Sequence, residues 1–147
     1  MMRVVSHLGL VFALLLTFTV GHGVAWAQGE HDDGVASLFV NMTTDDPHRA
    51  NMALSFSSNQ LNRGHPVTVF LNDRGVLVGS KENAATFAEH HAAMASLLER
   101  GATIIVCPMC MRHYGVAEGD LLDGLLVGNP ERTGEALFRA NTRTLTW

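Results

Sequence analysis

Cysteine is almost absent from this chain: 147 residues hold two, and both lie in Cys107-Pro108-Met109-Cys110. A disulfide framework built for stability would spread its cysteines along the sequence, so that class is excluded. Basic runs are absent as well. Ten Lys and Arg stand against fourteen Asp and Glu, a net charge of −4, and no basic stripe exists to neutralise phosphates, which argues against a nucleic-acid partner. The sequence has no phosphate-binding G-x-x-x-x-G-K, no dinucleotide G-x-G-x-x-G and no G-x-S-x-G nucleophile elbow. A second C-x-x-C or an H-x-x-x-H partner, which zinc would need, is missing. Internal repeats are missing too. Beyond the first 27 residues no apolar stretch approaches the roughly 20 residues of a membrane span.

What is present begins with a segment that reads as an export signal, the rival reading being an uncleaved membrane anchor. Arg3 supplies a positive head, Leu8 to Val20 an apolar run of about 13 residues, and Ala25-Trp26-Ala27 a small-x-small cleavage site. These read as a Sec-type signal peptide over residues 1–27, cleaved near Ala27, with a periplasmic or secreted mature protein that has no membrane attachment after cleavage. Removing it takes away one basic residue, Arg3, so nine basic and fourteen acidic residues remain and the mature charge is −5. The 120 residues left are enough for one hydrophobic core without staples. Residues 28–35 are mostly polar and read as a flexible lead-in; residues 36–147 read as a single domain.

Within that domain, Ala36 to Asn41 is short and largely apolar, as in a buried strand. Asp46 and Pro47 mark a helix start, with Ala50, Ala53, Leu54, Ser57 and Leu61 at helical spacing and Gly64 as the stop. Pro66 to Leu71 predicts a second strand, followed by a turn over Asn72-Asp73-Arg74-Gly75; Val76 to Val78 is too short to assign. A second helix runs from Ala84 to Arg100 with Phe87, His91, Met94 and Leu98 inward, which puts His91 in the core and His90 on the surface. Thr103 to Val106 is a β-branched third strand. Met111 to Tyr114 forms a short helix stopped by Gly115, Leu125 to Val127 a fourth strand, Asn129-Pro130 a last helix to about Ala140, and Thr142 to Trp147 a final strand with two different faces. Strands alternating with helices imply an α/β domain with a mainly parallel sheet of about five strands.

In such sheets reactive groups gather just past the carboxyl ends of strands. Cys107 falls there on strand three, Thr43-Thr44-Asp45 on strand one and Asn72-Asp73-Arg74 on strand two, so three loops converge on one rim. A cysteine between a strand end and a helix start is placed to favour its thiolate, the nucleophile in sulfur and disulfide exchange. His113 could add positive charge, Asp73 could act as acid or base, and Arg74 could hold an anionic sulfur species. Thr44, Asp73, Arg74 and His113 are therefore the auxiliary candidates around Cys107 and Cys110. Three other readings of the motif stand beside sulfur handling. They are a local structural disulfide, a thiol–disulfide redox pair of thioredoxin type, and a soft-metal site in which Cys107, Cys110 and neighbouring Met109, Met111 and His113 hold Cu(I).

Three segments resemble the DsrE/DsrF-like family of sulfur-relay proteins. Thr43-Thr44-Asp45-Asp46-Pro47-His48-Arg49-Ala50 resembles its T-x-x-D-P-x-R-A helix start. Pro66 to Leu71 with Asn72-Asp73-Arg74-Gly75-Val76 resembles its second strand and turn. Gly101-Ala102-Thr103-Ile104-Ile105-Val106-Cys107-Pro108-Met109-Cys110 resembles its G-x-x-[IV]-x-V-C-x-x-C strand. The resemblance implies a flavodoxin-like three-layer sandwich and a homo-oligomer, trimeric or hexameric. It also implies that Cys107 is the position that takes sulfane sulfur as a covalent persulfide, with no other cofactor or metal. Donor and acceptor would be proteins or small thiols. Cys110 matches a second cysteine found in only some members, and export sets this chain apart from cytoplasmic relatives.

Overall fold

The computed structural model describes residues 34–147. The expected leader over residues 1–27, and residues 28–33 of the expected lead-in, lie outside the described residues. Five strands form one sheet: β1 (Leu38–Met42), β2 (Val67–Leu71), β3 (Thr103–Val106), β4 (Leu126–Val127) and β5 (Arg143–Thr146). Their order is β4-β3-β2-β1-β5, and every pairing is parallel. Parallel neighbours cannot be joined by hairpins, so each connection carries a helix: α1 (Pro47–Asn62), short α2 (Gly75–Val78) followed by α3 (Ala84–Glu99), α4 (Pro108–Tyr114) and α5 (Pro130–Leu137).

Strand parity divides the layers. Leu38, Val40, Met42, Val69, Leu71, Ile104 and Val106 point to one face and join Ala53, Leu54, Met94 and Leu97 of α1 and α3 in the main core. Each fully buried Val, Leu or Ile there contributes about 1.5–3 kcal/mol. Phe39 and Ile105 are buried on the opposite face, where α5 begins: a Cβ on Gly128 would meet Ile105 and Thr133. That gives the expected helix–sheet–helix sandwich.

The helix starts follow local chemistry. The Asp46 carboxylate accepts from Arg49 N–H at 2.8 Å, and Pro47, which has no N–H to lose, occupies the first position of α1. In α5 the Asn129 side chain accepts from Arg132 N–H at 2.7 Å.

Several boundaries and faces differ from expectation. Val76–Val78, left unassigned, forms α2, and both Val76 and Val78 are buried. The last helix stops at Leu137 rather than Ala140. In α3 the inward stripe is Phe87, His90, Met94 and Leu97, so His90 is the buried histidine and His91 only half-buried. Both stripes satisfy a 3.6 period. Packing of α3 on α1 selects the first, with His90 Nε2 bonded to Pro47 O at 2.8 Å and His91 Nε2 to Val78 O at 2.9 Å. β5 lies at a sheet edge, where all four of its residues are exposed, and the Trp147 ring centre that follows it rests 5.6 Å from that of Phe56.

Candidate functional site

The β2–β3 ladder extends one residue past β3, where Cys107 N–H donates to Leu71 O at 2.9 Å. Pro108 then starts α4, earlier than the expected Met111, so Cys107 is the cap residue and Cys110 sits in the first turn. Gly115, at φ +73°, ends the helix after seven residues. A residue with that φ is best a glycine. Both cysteines are free and half-buried, and the Cys110 thiol donates to Cys107 Sγ across 3.1 Å. A disulfide needs about 2.05 Å, so closing one requires an approach of about 1 Å. Cys107 Sγ makes no capping bond with the backbone of α4. The expected support from the helix start is therefore not a hydrogen bond from α4; what reaches the Cys107 sulfur is the Cys110 S–H.

The turn after β2 supplies the other partner. Asp73 adopts φ +46°, a left-handed conformation unusual for a side-chain-bearing residue, and its N–H donates to Cys110 Sγ at 3.1 Å. Its carboxylate accepts from Tyr114 Oη at 2.5 Å. Cys110 and Tyr114, four apart on α4, share one helical face, and the Asp73 turn spans both. Gly75 locks the turn against β1, since a Cβ there would lie 2.2 Å from Met42 O. Arg74 reaches back to the loop after β1 and grips Asp45 with two bonds, 2.7 and 2.5 Å, while its guanidinium lies 5.8 Å from the Tyr114 ring centre.

These contacts set the protonation states. The Arg74 hydrogen bonds hold the Asp45 carboxyl below its ordinary range. Burial, and then donation to Cys107, push the Cys110 thiol up, partly offset by the Asp73 N–H. Donation to the Asp73 carboxylate pushes the Tyr114 phenol up.

A groove of about 560 Å³ is lined by Cys107, Cys110, Asp73, His113, Tyr114, Phe70, Asn72 and Met109. The structure thus brings four of the six sequence-derived candidates together. Arg74 is at its border and committed to Asp45. Thr44 stands apart: it is buried, and its Oγ1 accepts from Asp46 N–H at 3.0 Å, so it serves the turn before α1. His113 is exposed and meets Tyr114 edge-to-face at 4.7 Å; it makes no hydrogen bond to either sulfur. Tyr114 was missed from sequence, although its i+4 spacing from Cys110 was a usable signal. A second groove of about 220 Å³ contains Cys107 but not Cys110, and is lined by Pro108, Met109, Gly128, Asn129, Pro130 and Thr133.

Elsewhere the rim is closed. Strand order turns back between β1 and β5, which lie side by side and parallel; such a point is the usual ligand crevice of these sheets, but Thr43 N–H and Oγ1 both donate to Trp147 O there, at 2.8 and 2.6 Å. Asn72 Nδ2 donates to Asn41 Oδ1, and Asn41 Nδ2 to Thr146 Oγ1 at 3.5 Å, continuing the polar strip across the rim. Of the expected metal donors the groove holds the two cysteine sulfurs, exposed Met109 and His113, whereas Met111 is buried in the core. Among the described residues no group of three or more His, Cys, Asp or Glu is gathered for a metal ion.

Known proteins share this arrangement of elements. A protein of unknown function from Methanobacterium thermoautotrophicum superposes with a TM-score of 0.64 at 17% identity, covering 76% of this chain and 99% of that one. The YchN protein of E. coli does so with a TM-score of 0.58 at 16% identity, covering 77% and 99%. In sequence, an uncharacterized protein of Methanocaldococcus jannaschii is 33% identical over 90 residues, 58% of this chain and 79% of that protein. One from Methanopyrus kandleri is 31% identical over 92 residues, 62% and 76%. The profile of the DsrE/DsrF-like family matches residues 35–139, from before β1 to beyond α5. The chain belongs to the DsrE/DsrF-like family.

Proposed function

We propose that this chain is a periplasmic sulfur carrier that works through Cys107. The family points to sulfur relay at a general level. The observation that carries the assignment to Cys107 is its sulfur, half-exposed at the end of β3, facing an open groove and accepting the Cys110 S–H. In the first step the Cys107 thiolate attacks the outer sulfur of a donor R–S–SH. A Cys107–S–SH persulfide forms and RS⁻ leaves. In the second step an acceptor thiolate attacks that outer sulfur, takes it away as its own persulfide, and returns Cys107 as thiolate. Hydrogen-bond donors beside the sulfurs stabilise charge as it develops, and a half-buried groove limits hydrolysis. Donor and acceptor are small thiols or proteins carrying them, and the carrier is an exported homo-oligomer.

Intact-mass measurement after incubation with an organic persulfide tests this. The wild type and Cys110→Ser should each bind one sulfur atom immediately after mixing, and Cys107→Ser none. Equal loading of Cys107→Ser would reject the assignment. The same mass on protein recovered from the periplasm should place the first residue near Gln28.

A second reading has an observation of its own. Two thiols 3.1 Å apart with an exposed thioether next to them also suit a thiol–disulfide redox pair or a Cu(I) module. Stoichiometric copper in untagged protein, lost when both cysteines are replaced by serine, would favour that reading over relay.

A further inference from the structure

We infer that Cys110 gives the site a second outlet: without an acceptor, it displaces the sulfur bound on Cys107 as hydrosulfide and closes a Cys107–Cys110 disulfide. This rests on the reading that Cys107 carries sulfane sulfur.

The geometry supplies the three things such a displacement needs. The first is proximity. Cys110 Sγ lies 3.1 Å from Cys107 Sγ, within the range of a near-attack arrangement, and intramolecular attack gains the advantage of a pre-positioned reactant. The second is direction. Exchange at sulfur requires attacker, central sulfur and leaving sulfur to be close to a line. Cys107 is shared by two grooves, and Cys110 lines only one of them. An outer sulfur seated in the smaller groove, beside Gly128 and Thr133, stands away from Cys110 and leaves along an open path. The third is charge. As Cys110 loses its proton, the Asp73 N–H already aimed at its sulfur, at 3.1 Å, stabilises the thiolate. The left-handed Asp73 backbone and the Gly75 contact with Met42 O keep that donor in place.

The step balances. Cys110–S⁻ attacks Cys107–S–SH at Cys107 Sγ; the Cys107–Cys110 bond forms, the bond to the outer sulfur breaks, and HS⁻ departs. The Cys110 proton goes to solvent. The two cysteines are oxidised by two electrons, and the sulfane sulfur is reduced by the same two. Loading and release together convert R–S–SH and two protein thiols into R–SH, hydrogen sulfide and the disulfide, which an external dithiol reopens. Because burial holds the Cys110 thiol up, little of it is thiolate at neutral pH and release is slow. The persulfide therefore has a lifetime in which an acceptor can collect it.

The experiment uses full-length protein, reduced and freed of reductant, loaded with glutathione persulfide and desalted. Sulfide is trapped with monobromobimane while intact mass is followed. Wild type should release one hydrosulfide per disulfide formed and finish two hydrogens lighter than the reduced chain. Cys110→Ser and Cys110→Ala should keep the persulfide and release none. If the wild type holds its persulfide as long as these variants do, or if they release sulfide as fast, the outlet is refuted while the carrier reading stands. If none of the three proteins loads, both are refuted.

Discussion

Cys110 keeps its proton because its surroundings are dry on one side and because Cys107 is the acceptor it faces. Burial disfavours the thiolate, and ionisation would also break the S–H donation. The rate at which iodoacetamide labels Cys110 should therefore keep climbing with pH past the ordinary thiol range; peptide mapping of a time course reads it. Tyr114 is the single tyrosine of the chain, so its ultraviolet titration reports one group. Its hydroxyl donates to a carboxylate, which opposes phenolate formation. The titration should lie above the ordinary value of 10.0, and Asp73→Asn should bring it down. At this scale the cysteines were legible, because C-x-x-C after a β-branched run is a local pattern. The Asp73–Tyr114 and Asp73–Cys110 bonds were not: they join residues 41 and 37 positions apart, and no short-range spacing encodes them.

At the scale of elements, the turn after β2 is the part that shapes the site. Asn72-Asp73-Arg74-Gly75 reads as a generic turn, and a generic turn tolerates alanine at its last position. Here it does not, because the Gly75 Cα is pressed on the Met42 carbonyl of β1. Gly75→Ala has to move backbone rather than a flexible side chain, so it should cost at least about 2 kcal/mol in urea denaturation. By withdrawing the Asp73 N–H it should also change Cys110 alkylation. Asp46, Pro47 and Gly115 were legible as helix punctuation because caps and stops act within a few residues. The inward histidine of α3 was not, since both candidate stripes have helical spacing and only the neighbour chooses between them. That neighbour is the start of α1, where Pro47 O takes the His90 Nε2–H.

At the scale of the molecule, the parallel order β4-β3-β2-β1-β5 sends the chain from one sheet edge to the other between β4 and β5. The arriving strand is left outward, with Leu145 39% exposed, while Phe138 just after α5 is 83% exposed. Apolar side chains in such positions suit contact with further copies of the chain. In the proposed oligomer, light scattering should return the mass of a trimer or hexamer, and Phe138→Asp should shift it toward monomer. A monomeric wild type would remove this part of the proposal.

By itself the sequence determined the alternation of strands and helices, the caps, and the presence of one cysteine motif at a strand end. All of these follow from interactions between residues a few positions apart. Only the tertiary structure decided which histidine is buried, that Thr44 serves a turn, and that a backbone N–H from the loop after β2 meets Cys110. Those outcomes depend on how separate elements pack, and packing is settled by contacts that no local pattern contains.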